Sequence, residues 1–398
     1  PQRAFSPAMP QPDTADNRDP RQTLDAFAQD KLDSLAARGL TRRVIDTHRT
    51  DGMWVEREGR RLLSFSCNDY LNLSQHPAVK QAAIAAIETY GVGSGASRLI
   101  TGNHPLFAQL EQRLSRLKGT DAACVFGSGY LANSGIIPVL AGPDDLVLVD
   151  ELAHACIWSG AQLSRGKVVT FRHNDLDDLE ALLKRYRASA RHALVVTDGV
   201  FSMDGDLAPL DAMAPLAQRH DAWLMTDDAH GLGVLSSGRG SARADVPLQM
   251  GTLSKAIGSY GGYLAASAPV IELMRNRART FVYSTGLPAA MVAAAIAALD
   301  LIETDKAYIA QPLAKARLFT RLTNLPDAQS PIVPVVIGDA DATMAASRGL
   351  IDDGFLVAGI RPPTVPMGTA RLRLTFTAQH PVDEIERLAA IVRNRIMA

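Results

Sequence analysis

The chain has 398 residues, 47% of them hydrophobic and 21% charged, which suits a packed protein of two domains or of one large domain with an appendage. Its 41 basic and 42 acidic residues leave a net charge of −1, so it lacks the basic footprint of a nucleic-acid or anionic-membrane binder. Three cysteines (Cys67, Cys124 and Cys156) without a CxxC pair argue against a disulfide framework or zinc site, and suit a reducing compartment such as the cytoplasm.

Residues 1–20 hold five prolines and no apolar run, and read as a disordered tail without a secretory signal. Leu24, Phe27, Ala28, Leu32 and Leu35 fall near helical spacing, and Gly39 sits where that helix would stop. Met53 to Cys67 reads as a hairpin turning at Glu58-Gly59, so residues 21–67 form an N-terminal arm. From Pro77 the pattern becomes α/β. Ala78–Tyr90 is predicted helical. Apolar strands are predicted at Ala123–Phe126, Leu146–Asp150, Lys167–Phe171, Ala193–Asp198, Trp223–Asp228 and Leu248–Gly251. Helical segments such as Leu176–Arg187 and Leu210–Arg219 lie between them. This alternation predicts a mostly parallel sheet covered on both faces, with ligands bound beyond the carboxyl ends of its strands. The alanine-rich run from Gly286 to Leu299 is too short to span a bilayer and closes a large domain over residues 68–304. Strands at Ile332–Ile337 and Leu372–Phe376, with helices at Met344–Asp352 and Val382–Met397, predict a smaller α+β domain over residues 305–398.

Two stretches make a specific chemical statement. Trp223-Leu-Met-Thr-Asp-Asp-Ala-His-Gly231 is a buried strand running into a turn that carries Asp227, Asp228 and His230. Gly251-Thr-Leu-Ser-Lys-Ala256 ends another strand in a lysine set among hydroxyls and small residues, as a surface lysine need not be. Pyridoxal phosphate (PLP) chemistry requires this combination: a lysine that forms a Schiff base with the cofactor, and a carboxylate that keeps the pyridine nitrogen protonated.

Other polar residues gather at predicted strand ends. Gly127-Ser-Gly-Tyr130 is either a plain strand-to-helix turn or a helix start that binds phosphate. His154 is a satisfied structural histidine, a ring that stacks on a flat cofactor, or a proton carrier; its spacing to Cys156 lacks the further ligands a metal needs. Ser202 is a turn serine or a partner for the cofactor's phenolic oxygen. Arg371 and Arg373 alternate with Leu372 and Leu374, so both point to one face, for a substrate carboxylate or for structural ion pairs. Arg275, Arg277 and Arg279 form a solvated helix face or a contact for the phosphates of an acyl carrier. Gly91-Val-Gly-Ser-Gly-Ala96 formally matches a dinucleotide fingerprint, but a helix precedes it where a strand should, so it reads as a turn of close backbone approach.

With these motifs the chain resembles the α-oxoamine synthases, a family of fold-type I PLP enzymes, over about residues 40–396. The likeness rests on Ser66-Cys-Asn-Asp-Tyr-Leu71, Gly91-Val-Gly-Ser-Gly, Asp198-Gly-Val-Phe-Ser-Met-Asp-Gly-Asp206, Thr226-Asp-Asp-Ala-His-Gly231, Gly251-Thr-Leu-Ser-Lys-Ala256, Tyr283-Ser-Thr285, Ile360-Arg-Pro-Pro-Thr-Val-Pro366 and Gly368-Thr-Ala-Arg-Leu-Arg-Leu374. It implies Lys255 as the Schiff-base lysine, Asp227 at the pyridine nitrogen, His230 and Ser202 at the phenolic oxygen, and His154 against the ring. It places the amides of Gly129 and Tyr130 and the hydroxyl of Thr252 at the phosphate, with Ser284 and Thr285 serving the phosphate of a second subunit in an obligate homodimer. Asn68 and Arg373 would hold the amino-acid carboxylate, Thr364 would line the substrate site, and Arg42 or Arg43 would meet the acyl substrate. The implied reaction is a decarboxylative condensation of an amino acid with an acyl thioester of coenzyme A or a carrier protein. The Arg361-Pro-Pro-Thr-Val-Pro366 run points to L-alanine and a pimeloyl thioester over serine or glycine with other acyl groups. Intact Lys255, Asp227 and His230 argue against a catalytically silent binding module. The chain departs from the family at Leu71-Asn-Leu73, where the middle residue is usually glycine.

Overall fold

The structure is a computed structural model that describes residues 19–397. It divides into two compact units, one ending at Thr47 and one from His48 onward. In the first, the helix Pro20–Ala37 starts where Asp19 accepts a hydrogen bond from the Arg21 amide at 3.0 Å and where Pro20 has no amide to satisfy. Gly39 follows its end with φ +64°, and none of its residues is buried. Of the expected tail, residues 1–18 lie outside the described residues, and Pro20 already belongs to the helix.

The second unit contains almost all of the strands. The N-terminal ones are β1 (Thr47–Asp51), β2 (Trp54–Arg57) and β3 (Arg60–Ser64). β2 and β3 make the expected hairpin, with Glu58 and Gly59 both at positive φ (+49° and +74°), as a tight hairpin turn demands. The central strands are β4 (Ala122–Phe126), β5 (Leu146–Asp150), β6 (Lys167–Phe171), β7 (Ala193–Asp198), β8 (Trp223–Asp227), β9 (Leu248–Thr252) and β10 (Gly262–Ala266). Last come β11 (Ile332–Gly338), β12 (Phe355–Leu356), β13 (Ala358–Ile360) and β14 (Ala370–Thr375).

The central strands form one seven-stranded sheet in the order β4-β10-β9-β8-β7-β5-β6. Its middle, β5 to β9, is parallel, as the continuous apolar runs predict. Sequence reasoning missed β10, which inserts antiparallel between β4 and β9. Its residues alternate between two cores: Tyr263 and Ala265 pack with Phe107, Leu110 and Val292, and Leu264 and Ala266 with Ile136, Met225 and Met274. Sheet and helices thus cover each other on both faces, and the carboxyl ends of β5, β7, β8 and β9 open on one edge.

Beyond the helix Ala289–Thr304, β11, β14 and β13 form a three-stranded antiparallel sheet. β12 instead pairs parallel with β3, which ties the hairpin to the C-terminal region. A core of Phe65, Phe319, Phe355, Phe376 and Leu388 lies there. Among the described residues, no helix is long and apolar enough to cross a membrane.

One ion cluster fixes the loop after β7. His173 places Nδ1 3.1 Å from Asp150 Oδ1 and Nε2 2.8 Å from Asp206 Oδ2, so an imidazolium donates to both. Burial alone would lower its pKa, but the hydrogen bonds to Asp150 and Asp206 push it up to about 10. An unfolded histidine titrates near ~6.5. Below that pH both states hold the proton and the stabilisation is complete; above it the unfolded chain releases the proton first, and the stabilisation is lost as pH rises toward about 10. The stability of the protein to equilibrium unfolding is therefore expected to fall from pH 6.5 to 10, and His173→Gln to flatten that decline while lowering stability at pH 6. Parallel pH profiles for the two proteins would contradict this.

Candidate active site

The strand ends build a cavity of about 210 Å³ lined by Ser128, Gly129, Tyr130, His154, Cys156, Asp198, Ser202, Asp227, Ala229, His230, Met250, Thr252, Ser254 and Lys255. Eight residues singled out from the sequence thus meet in one place: Gly129, Tyr130, His154, Ser202, Asp227, His230, Thr252 and Lys255.

The β8 strand delivers two adjacent carboxylates to opposite fates. Asp228 is fully buried and forms an ion pair with the equally buried Lys118, which ends the helix Leu106–Lys118. Asp228 also accepts from the Ser241 amide at 3.0 Å, and the Lys118 amine donates to the Arg239 carbonyl at 2.9 Å. Asp227 faces the cavity instead. Its Oδ2 accepts from Asn133 Nδ2 at 2.7 Å and its Oδ1 from the Ala229 amide at 2.9 Å. The geometry therefore separates a structural acid from an acid available to a ligand.

Lys255 lies just past β9, with Nζ 2.8 Å from His230 Nε2. Burial lowers its pKa, and the charges of Asp227 and Asp198 oppose that fall. His230 Nδ1 is 2.6 Å from the hydroxyl of Tyr70. Burial, then the charges of Lys255 and Arg373, hold the His230 pKa well below the ordinary histidine range. Burial beside Asp227 likewise pushes Asp198 well above the ordinary carboxyl range. Asp198 accepts from the His154 amide at 2.9 Å. His154 caps the helix Ala155–Leu163: its Nδ1 accepts from the Cys156 amide at 3.3 Å and lies 2.8 Å from the Cys156 sulfur. The thiol, pushed up to about 12 by burial and by Asp227, stays protonated.

The helix Gly129–Leu140 starts at the cavity, capped by Ser128 through the Leu131 amide at 3.1 Å. Its first amides have no intrahelical acceptor and suit an anion. A Cβ at Gly129 would come within 3.3 Å of the Thr252 side chain, so glycine leaves this corner its room for a ligand beside the backbone. An anion-binding helix start, an amine and a cavity-facing carboxylate together fit a PLP-sized aromatic phosphate.

The two strand arginines, expected on one face, have different tasks. Arg371 pairs with Asp204 and bonds the Thr369 carbonyl at 2.9 Å. Arg373 donates through Nε to the Ser202 carbonyl at 2.5 Å and through both terminal nitrogens to Asn68 Oδ1 at 3.2 Å. No carboxylate neutralises it within the described residues, so Arg373 and Asn68 can receive one. Thr364 lines a second cavity of about 560 Å³ that shares His154 and Ser202 with the first. Ser284 and Thr285 do not line the first cavity; they lie beside Arg98 and Gly127, with Thr285 bridged to Ser97. Arg42 and Arg43 belong to the separate N-terminal unit. Of the other arginine run, Arg275 pairs with Glu111 and Glu272, while Arg277 and Arg279 line a groove with Leu163 and Leu273.

A family model described as Aminotransferase class I and II matches residues 60–392. The chain belongs to this family. It is similar to the 8-amino-7-oxononanoate synthase of Beijerinckia indica, 62% identical over 93% of this chain and 97% of the relative. The likeness to that of Granulibacter bethesdensis is also 62%, over 94% and 98%. Among solved structures, the serine palmitoyltransferase of S. paucimobilis bound to PLP and myriocin matches with a TM-score of 0.87 and 29% identity, over 94% of this chain and 98% of the other. The 8-amino-7-oxononanoate synthase of Francisella tularensis matches with a TM-score of 0.74 and 25% identity, over 84% and 98%. These likenesses place this family member in the α-oxoamine synthase branch.

Sequence reasoning missed Asn133, Tyr70 and Lys118. Tyr70 sits inside a quoted motif, but nothing local says that its hydroxyl meets His230. Asn133 lies in a mostly apolar helix, next to Ser134, and nothing local says that its amide meets Asp227. Removing one partner of a buried ion pair costs about 3–5 kcal/mol, so Lys118→Met is expected to lower unfolding stability by roughly that amount in urea titrations. Adding Asp228→Asn should recover part of the loss. A change below about 1 kcal/mol would show the pair to be dispensable.

Proposed function

We propose that the protein is a PLP-dependent acyltransferase that condenses L-alanine with a pimeloyl thioester of coenzyme A or a carrier protein. It releases the thiol and carbon dioxide and gives 8-amino-7-oxononanoate for biotin synthesis. The observation that carries this reading is the half-buried Lys255 lining a cavity with Asp227 and His230, in a chain 62% identical to 8-amino-7-oxononanoate synthases across nearly its whole length.

The cofactor, when bound, supplies an aldehyde for amines and a ring that accepts electrons from a carbanion. The chain's own residues do the rest. Lys255 would anchor the cofactor, and its amine, whose pKa burial lowers, favours the free base that can take a proton from the alanine Cα. Asp227, aligned by Asn133, would hold the proton on the cofactor's pyridine nitrogen. Thr252 and the amides of Gly129 and Tyr130 hold the phosphate at the helix start. Ser202 and His230 would serve the cofactor's phenolic oxygen and His154 its ring, all three lining the same cavity. Arg373 and Asn68 grip the alanine carboxylate, which fixes the Cα bonds relative to Lys255. The acyl chain enters past Thr364 through the cavity shared at His154 and Ser202.

The working unit is a homodimer. Supporting this, Tyr283, Val92 and Ile100 are each about three-quarters exposed, and Ser284 and Thr285 stand outside their own chain's cavity, where they can serve a partner's phosphate. Three free cysteines fit a reducing, cytoplasmic setting.

The test is product identification by mass spectrometry, with alanine, serine and glycine each offered against pimeloyl and palmitoyl thioesters. Alanine with the pimeloyl donor is expected to give 8-amino-7-oxononanoate at a rate at least about tenfold above any other pair. Turnover of serine with palmitoyl thioester, and none with pimeloyl donors, would overturn the substrate assignment and leave the family membership standing.

A further inference from the structure

We propose that Tyr70 is a positioning residue that holds His230 with its ring hydrogen on Nε2, and so converts His230 into a hydrogen-bond donor toward the cavity. The argument starts from the two ring nitrogens. Nδ1 lies 2.6 Å from the Tyr70 hydroxyl, and Nε2 lies 2.8 Å from Lys255 Nζ. Tyr70 is fully buried and His230 nearly so, so both must satisfy their polar atoms within the protein. A neutral imidazole has one N–H and one acceptor, and the tautomer decides which nitrogen faces Lys255.

The Tyr70 hydroxyl resolves the choice. Its hydrogen has two nearby acceptors, His230 Nδ1 at 2.6 Å and Asn68 Oδ1 at 3.5 Å. The second is at the limit of a useful hydrogen bond, and Asn68 Oδ1 already accepts from both terminal nitrogens of Arg373. Burial pushes the Tyr70 pKa up to about 12, against the nearby charge of Arg373, so the hydroxyl keeps its proton. A guanidinium only donates, so the nearby Arg373 offers no competing acceptor and leaves the tyrosine hydrogen for Nδ1. With Nδ1 accepting, the ring hydrogen sits on Nε2.

A protonated Lys255 would instead donate to Nε2 and require the opposite tautomer. That competition ends when the cofactor takes up the amine, and Tyr70 alone then decides. Resting on the PLP reading of this cavity, the resulting Nε2–H is a donor toward the cofactor's phenolic oxygen. The Tyr70 hydroxyl also lies 3.5 Å from Asn68 Oδ1, which accepts from Arg373, so His230 and the proposed carboxylate grip are neighbours in one site.

The test uses the PLP-loaded enzyme with 15N-labelled histidine, and His230 is identified by the signal missing in His230→Asn. The native enzyme is expected to show a protonated Nε2 and an unprotonated Nδ1. Tyr70→Phe keeps the buried ring but removes the hydroxyl, and it is expected to shift His230 toward the Nδ1–H form. In the same variant, the pH midpoint of the cofactor's absorbance change should rise by about one unit, as expected for losing a hydrogen bond to a charged oxygen. The corresponding fall in kcat is about tenfold, with KM for alanine changed less than about threefold. An Nδ1–H signal in the native loaded enzyme would overturn the proposal without recourse to any variant. So would a Tyr70→Phe protein in which both the 15N pattern and the midpoint are unchanged. A native protein that takes up no PLP would refute the proposed function instead, which keeps the two failures apart.

Discussion

The constraint on which the rest of the structure depends is a half-buried amine beside buried carboxylates at the open ends of a parallel sheet. Lys255, Asp198 and Asp227 cannot all be removed from water without partners. The fold answers with fixed hydrogen bonds: Asn133 and the Ala229 amide on Asp227, the His154 amide on Asp198, and His230 on Lys255. The neighbouring Asp228 is removed from the site altogether by Lys118. Such prior arrangement is what electrostatic catalysis needs, because groups already held in place need not reorganise when charge develops.

The same logic separates binding from scaffolding in the C-terminal sheet. Arg371 and Arg373 emerge from one face of β14, yet Arg371 is spent on Asp204 while Arg373 meets only a carbonyl and an amide oxygen. Asp204 and Asp206 belong to one loop, and the His173 cluster secures its end. The C-terminal sheet, the loop after β7 and the segment around Asn68 therefore meet at Arg373, beside the passage that Thr364 lines.

Much of this was legible in the sequence because the parallel strands are buried on both faces, and their apolar runs end at the polar residues that line the cavity. The bounds of β5, β6 and β7 agree with those read from residue pattern alone. The strand β10 was not legible, because Gly262 and its alanines resemble the small residues that flank Lys255. Only the pairing with β4 and β9 reveals it. The difference between Asp227 and Asp228 was hidden too, since it depends on Lys118, which is distant in sequence. The departure at Asn72 has a local explanation: its φ of +52° is the left-handed conformation that glycine adopts freely and asparagine tolerates. Its side chain also accepts from Arg49 at 3.0 Å.

The central claim is that the strand-end cavity exists to hold PLP on Lys255. It is tested most directly by reducing the loaded protein with borohydride and mapping the modified peptide by mass spectrometry. The account predicts a single pyridoxyl-phosphate adduct, on the peptide that contains Gly251-Thr-Leu-Ser-Lys255. An adduct on any other lysine, or none in a protein shown to be folded, would contradict it.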